Sequence, residues 1–401
     1  MNKIMMLKNP VQEYAWGSGT AIQALLGIPA SDNRPMAELW MGAHPKAPSR
    51  AFINGEWKSL SDLIKKNPES ILGKNVADAF SNRLPFLFKI LAAGRPLSIQ
   101  VHPDLDQARS GFKRENNLKI PLDAPARNYR DDNHKPEILC ALNSFQALKG
   151  FRKIEEILNL MNKVSSSGLS DELSLLENSP DSQGLKIFFS ELMTMDKARK
   201  ELVVSEAAGL AEKFVNENQA FYWMIELSHE YPGDIGVLSP LILNLVQLNA
   251  GEAIYLPAGE LHSYLQGVGI ELMANSDNVL RGGLTPKHID VPELLKIVNF
   301  DIEPVKIIKP VMRGNCEISY PAPADEFMLS MISVDNGRLY TSARDRSVEV
   351  LICFKGKAVI RDLGSGESLS LTQGSSVIVP SCVLQYTLEG VATFYSASVP
   401  L

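Results

Sequence analysis

The chain is predicted to be mainly β with an α-helical insertion, and three observations carry that prediction. Up to about residue 150, and again beyond 235, short apolar runs alternate with Gly- and Pro-rich turns, the pattern of strands. Between about 151 and 230 the apolar period lengthens to that of a helix. Ile154, Ile157, Leu158 and Met161 form one stripe there, and Leu202, Val203, Leu210 and Phe214 another. Third, one phrase occurs twice: Gly251 through Pro257 leads to His262, and Gly374 through Pro380 leads to Gln385 at the same spacing. The repeat marks two related β-modules.

Residues 1–60 read as strands and turns. Tyr14-Ala15-Trp16-Gly17 and Glu38-Leu39-Trp40-Met41-Gly42 are aromatic–glycine units that either pack in a core or face a ligand. A capped helix is expected near Ser61, ahead of Leu63 and Ile64. The apolar stretch up to Val101 is split by Gly94-Arg95-Pro96 into two strands. Residues 104–133 are polar and read as a loop, and Ile138 to Leu142 reads as a buried strand with Glu137 at its entrance. Strands are expected to return from Ile235, and roughly the last 80 residues read as an antiparallel sandwich or barrel. The expected division is therefore 1–150 and 235–305 for the first β-module, 151–234 for the helical domain, and 306–401 for the second β-module.

At 401 residues the chain has room for two or three domains. Its 45% hydrophobic and 21% charged content is that of a soluble globular protein. A net charge of −6 argues against a general nucleic-acid binder, although a phosphate needs only a few local cations. Cys140, Cys316, Cys353 and Cys382 are widely spaced and read as free thiols of a reducing compartment. Ile4-Met5-Met6-Leu7 is too short for the core of a signal peptide, and no stretch approaches a membrane span. The expectation is a cytoplasmic monomer with neither membrane nor nucleic-acid partners.

The chemistry gathers around Ser98-Ile99-Gln100-Val101-His102-Pro103. On a strand, Gln100 and His102 share one face while Ile99 and Val101 turn into packing. Partners come from His134-Lys135-Pro136-Glu137 and from Pro257-Ala258-Gly259-Glu260-Leu261-His262. Two imidazoles, a carboxylate and an amide oxygen make a ligand set for one zinc or another divalent ion. Taken singly, each histidine reads as a hydrogen-bonded core residue; their joint appearance, in a chain with six histidines, argues for a metal. No histidine follows His288, so the second module is not expected to hold a comparable ion. With a single carboxylate the site keeps a net charge near +1 and stays a useful Lewis acid. Lys135 lies beside a ligand and hence near the site. Asn275 through Lys287, with its Gly pair and many donors, reads either as an ordered functional loop or as a capped surface loop.

These phrases resemble a family. Gln100-Val101-His102-Pro103, His134-Lys135-Pro136-Glu137, Gly259 to His262 and Asn278 to Lys287, with Tyr14 to Gly17 near the start, are similar to the motifs of type I phosphomannose isomerases. The resemblance runs to about residue 300. It implies two cupin-type β-barrel (jelly-roll) domains with a helical domain inserted in the first, and a zinc enzyme interconverting mannose 6-phosphate and fructose 6-phosphate through a cis-enediol. Carried over, Gln100, His102, Glu137 and His262 would hold zinc, Arg281 would be the active-site arginine and Lys135 the active-site lysine. Ser98, Lys89 and Lys287 match positions at the phosphate end, and Trp16 is a further candidate substrate contact. An enediolate needs electrostatic stabilisation as it forms, which a metal and Arg281 would share. Lys135, His134 and a metal-bound water are all candidates for the base, and Asp277 or Glu271 for opening the sugar ring. Two other readings stand beside this one: a non-haem Fe(II) cupin oxygenase, and a non-catalytic sugar-binding module with a structural metal.

Overall fold

The computed structural model describes residues 3–29, 34–165 and 167–401. Among them lie two antiparallel sheets, of ten and eleven strands, together with a group of helices. The ten-stranded sheet is organised on the strand His262–Ala274. Its later residues pair with Phe86–Ala93 and Glu137–Ala141, whereas its first residues pair with Ile99–Val101 and Phe145–Phe151. Gly267 sits at this change of partners with φ +130°. A Cβ there would lie 2.6 Å from the Phe145 ring, so the position requires glycine. Leu91, Leu139, Phe145 and Tyr264 form the apolar cluster of this sheet.

The eleven-stranded sheet is not built from the C-terminal residues alone. Met5–Lys8 pairs with Ser376–Val379 on one side and with Arg50–Ile53 on the other, and Glu56–Ser59 follows. The expected unit 1–150 is thus divided, its opening strands lying in the sheet formed mostly by residues 311–398. An apolar layer with Phe88, Ile138 and Leu272 from one sheet and Leu7, Val350 and Ile378 from the other joins the two.

The repeated phrase has the same backbone in both copies. Gly251 and Gly374 take φ +88° and +82°. Each precedes a four-residue strand, Ala253–Leu256 or Ser376–Val379, and each strand ends at proline before a 13-residue strand, His262–Ala274 or Tyr386–Ser398.

The helical insertion comprises Ile154–Val164, Ser170–Asn178, Ser182–Thr194, Lys197–Ala211 and Gln219–Glu230, closed around Leu160, Phe188, Val203 and Phe221. It extends past its expected end. A 3₁₀ turn over Ile235–Leu238 and a short helix over Ser239–Ile242, with Pro240 in its first turn, come before the strand Leu243–Leu248. A continuous apolar run does not reveal where helix gives way to strand.

Two further expectations are corrected. The helix Leu60–Lys66 is capped by Ser59, whose hydroxyl accepts from the Asp62 N–H, and Ser61 is already inside it. Residues 104–133 are not all loop, because Leu105–Asn117 is helical and opens with a capping box between Asp104 and Gln107. Its largely polar surface hides the apolar period. The close contact is made at Gly111, where a Cβ would meet the Tyr129 ring at 2.4 Å. With these additions helix holds 30% and strand 32% of the molecule, and the strands form antiparallel sheets, consistent with the expected β fold carrying helices.

Candidate active site

His102 lies one residue beyond the strand Ile99–Val101, fully buried, with Ile99 and Val101 packed into the helical cluster as alternation requires. Its Nδ1 lies 2.8 Å from the Asn278 carbonyl oxygen, and that of His262 lies 2.9 Å from the Glu260 carbonyl oxygen. A carbonyl only accepts, so each Nδ1 carries the proton and each Nε2 is left as a free lone pair. Glu137 begins the strand Glu137–Ala141, in register with Leu256 on one side and Met273 on the other. That register puts its carboxylate between the imidazoles, 3.5 Å from His102 Nε2 and 3.5 Å from His262 Nε2.

These three side chains form the group of His, Cys, Asp and Glu able to hold a metal among the described residues, with ligand atoms within 4.8 Å of one another. His102 Nε2, His262 Nε2 and Glu137 Oε2 are all buried without a hydrogen-bond partner. Three orphaned buried atoms would each cost about 1–3 kcal/mol. Two ligands at zinc bond lengths of about 2.0–2.1 Å on a tetrahedral ion lie roughly 3.4 Å apart, close to the observed spacing. The residues fit zinc. Burial by itself would raise the Glu137 carboxyl, but the Lys135 ammonium at 3.0 Å outweighs it and holds it well below the usual range. Burial, helped by Lys135, pushes His102 down to about 4, so it is neutral, the form a metal requires. Gln100 stands opposite His262 in register and lines the cavity above.

That cavity has a volume of about 420 Å³. Glu137 and Lys135 lie in its lining, with Trp16, Trp40 and Tyr264 among its walls.

The sequence matches the phosphomannose isomerase type I catalytic domain over residues 4–154. The chain is 43% identical to the mannose-6-phosphate isomerase of Salmonella typhimurium, covering 93% of this chain and 94% of that one. To the Escherichia coli enzyme of the same name it is 42% identical, over 96% of each. A solved zinc-bound mannose 6-phosphate isomerase superposes with a TM-score of 0.91 at 40% identity, covering 99% of this chain and all of that one. The chain belongs to the type I phosphomannose isomerase family.

Lys135, Arg281, Ser98, Lys89, Lys287, Asp277, Glu271 and Trp16 all line this cavity. His134 does not. Its Nε2 lies 2.6 Å from Glu326 Oε1, in the connection between the strands Glu317–Tyr320 and Met328–Val334 of the C-terminal sheet, so this expected base is turned away. Lys89 is in the cavity, but two carboxylates neutralise it. Its Nζ lies 2.6 Å from Glu271 and 3.4 Å from Glu38. Burial would push its ammonium down, and the two carboxylates more than reverse this and keep it charged. A lysine so paired has little charge left for a phosphate.

Several lining residues were not among the candidate site residues assigned from the sequence. Glu38 accepts from the Trp40 indole N–H at 2.8 Å, and the Lys89 ammonium lies over the Trp40 ring at 5.6 Å. His44, edge-on to Trp40, lies 3.6 Å from Asp277 Oδ1, and burial pushes it down to about 4. Arg130 faces Arg281 and Lys287. Burial and Arg130 lower the Arg281 guanidinium, and Arg281, burial and Arg130 lower the Lys287 ammonium. Among the described residues none of these three cations has a carboxylate within 4.0 Å. Trp40 was visible as an aromatic unit, but Arg130 and His44 carry no local signal.

Proposed function

We propose that this chain interconverts mannose 6-phosphate and fructose 6-phosphate as a zinc-dependent aldose–ketose isomerase. The observation that carries the reading is the cluster of three orphaned ligand atoms, one of them on Glu137 in the lining of a polar cavity, in a chain 43% identical to a mannose-6-phosphate isomerase over 93% of its length. His102, Glu137 and His262, with Gln100 as a fourth, would hold the ion. Bound there, zinc would supply Lewis-acid polarisation of the sugar oxygens.

The remaining work falls to the chain's own groups. Arg281, Arg130 and Lys287 repel one another and, among the described residues, lack carboxylate partners, so they suit the phosphate dianion and the charge of the enediolate. Lys135 is the one of the two expected side-chain bases that lies within the cavity and can exchange a proton at C1 or C2. Glu271, held by Lys89, is placed to accept a sugar hydroxyl and Asp277 to assist ring opening. Trp16 and Trp40 exclude water from one wall. The two sheets, with their repeated strand pattern, are read as two cupin-type barrels. Neither the iron oxygenase nor the non-catalytic binding module is favoured, since no observation in the cavity calls for either.

A coupled assay with mannose 6-phosphate on as-purified, chelator-treated and zinc-restored protein tests the reading. Activity should vanish with the metal and return with zinc. Full activity after complete metal removal would overturn the zinc site, and none with zinc loaded would overturn the substrate.

A further inference from the structure

The second sheet contains a cavity of its own, of about 700 Å³, larger than that above the metal ligands and within the roughly 300–1,000 Å³ of small-molecule sites. Its place in the fold follows from the internal repeat. Glu137-Ile138-Leu139-Cys140-Ala141 has a counterpart in Glu349-Val350-Leu351-Ile352-Cys353. Glu137 pairs with Leu256, the last residue before Pro257, and Glu349 pairs with Val379, the last before Pro380. Glu349 therefore occupies in the second module the position that Glu137 holds in the first, and it too lines a cavity.

Side-chain alternation shows how the cavity arises. Along one face of each strand, Leu351 and Cys353 follow Glu349, Ile332 and Val334 follow Ser330, and Phe394 precedes Ser396 and Ser398. The apolar members close a packed cluster, and the polar members at the other end line the opening.

The polar groups here are paired with one another rather than grouped as possible metal ligands. Gln385 stands where His262 does in the repeat, and its amide donates to the Ser342 carbonyl at 3.0 Å. The Glu349 carboxylate accepts from the Tyr386 hydroxyl at 2.5 Å and lies 3.4 Å from the Arg346 guanidinium, a fixed cation in place of an ion. Arg346 in turn donates to the Pro380 carbonyl at 2.6 Å. Two buried polar atoms of the lining have no partner: Ser330 Oγ, in a residue 3% exposed, and Arg346 Nε, in a residue 9% exposed. Orphaned donors in a polar cavity are what a hydroxyl-bearing ligand would satisfy.

The lining charges are Glu317, Asp345 and Glu349 against Arg313 and Arg346, a balance that disfavours a phosphate. Serine hydroxyls at 330, 342, 396 and 398 both donate and accept, and the Gln385 amide lies beside them. We propose that this cavity is a second ligand site, one that binds a neutral polyhydroxylated compound of the hexose or hexitol class. It is distinct from the catalytic cavity, and its residues take no part in the isomerisation.

The test uses the full zinc-loaded chain and saturation-transfer NMR with D-mannose, D-glucose, D-mannitol and inorganic phosphate as separate probes. At least one neutral probe should bind, and phosphate should not compete. Ser330→Phe, which fills the cavity, should weaken that binding at least tenfold while leaving kcat/KM for mannose 6-phosphate within about twofold. Should Ser330→Phe fail to fold, Ser398→Trp, at a partly exposed position, fills the opening instead with the same expected result. Absence of binding by every neutral probe at about 20 mM, displacement by phosphate, or binding that survives in the filled variant would each overturn the proposal.

Discussion

Asn278 tests how the candidate metal ligands are held, because it does not line the cavity itself. Its side chain is fully buried and its backbone carbonyl receives the His102 Nδ1–H. The amide Oδ1 accepts from the Arg130 N–H at 2.7 Å, and Nδ2 donates to the carbonyls of Asp131 at 2.9 Å and Asn133 at 2.8 Å. Longer contacts run to Asp131 N and Asp131 Oδ1, both at 3.2 Å. Counting only the three short bonds at about 0.5–1.5 kcal/mol each, Asn278→Ala should cost about 1.5–4.5 kcal/mol of stability. The loop 130–133 that leads into Lys135 and Glu137 loses its clamp at the same time. Because the His102 carbonyl acceptor moves with Asn278, zinc affinity should fall about 10–100-fold. Urea unfolding of the zinc-loaded protein and competition for zinc against a chromophoric chelator measure the two effects separately. Wild-type zinc affinity together with a stability loss under about 1 kcal/mol would refute the reasoning.

Other expectations follow from single contacts. Arg281→Met should lower kcat/KM for mannose 6-phosphate about 10²–10³-fold with the fold intact, and near-normal turnover would remove Arg281 from the mechanism. His134→Gln should leave kcat within about twofold, since its partner is Glu326 outside the cavity; a large loss would return His134 to the list of bases. His44 has a folded value of about 4, below its unfolded 6.5, so the unfolded chain binds the extra proton between these values. The stability it contributes is complete above pH 6.5 and is lost as pH falls towards 4, by about 2–3 kcal/mol. His44→Asn should therefore gain on wild type between pH 7 and pH 4.5 in urea unfolding, and parallel pH profiles would contradict this. Gly267→Ala should destabilise by at least about 2 kcal/mol, because the added Cβ meets Phe145 and the backbone is left-handed. A melting temperature unchanged from wild type would show that the strand can shift there at no cost.

The cluster of candidate metal ligands was legible in the sequence because each candidate sits in a short phrase whose geometry is local. Gln100 and His102 share a strand face, Glu137 opens an apolar strand, and His262 follows a Gly–Pro turn that the repeat shows to be a fixed unit. The same local logic marked the helical insertion and the strands Phe86–Ala93 and Ile99–Val101. Where local signals competed, the sequence was a poor guide. The polar helix Leu105–Asn117 reads as loop until its capping box is noticed, and the run up to Leu248 hides a change from helix to strand.

What a titratable side chain does was decided by tertiary structure alone, since charge depends on neighbours that chain order does not show. Lys89 is neutralised by Glu38 and Glu271, 51 and 182 positions away, and His134 is drawn off by Glu326, 192 positions away. The strand Met5–Lys8 joins the C-terminal sheet through pairings more than three hundred residues apart in sequence, and Arg50–Ile53 enters that sheet by pairing with it. The residue types that could hold a metal were thus written in the chain. Which cations remain free for a phosphate, and which module each strand completes, was settled only when distant segments packed together and shared their burial and their charge.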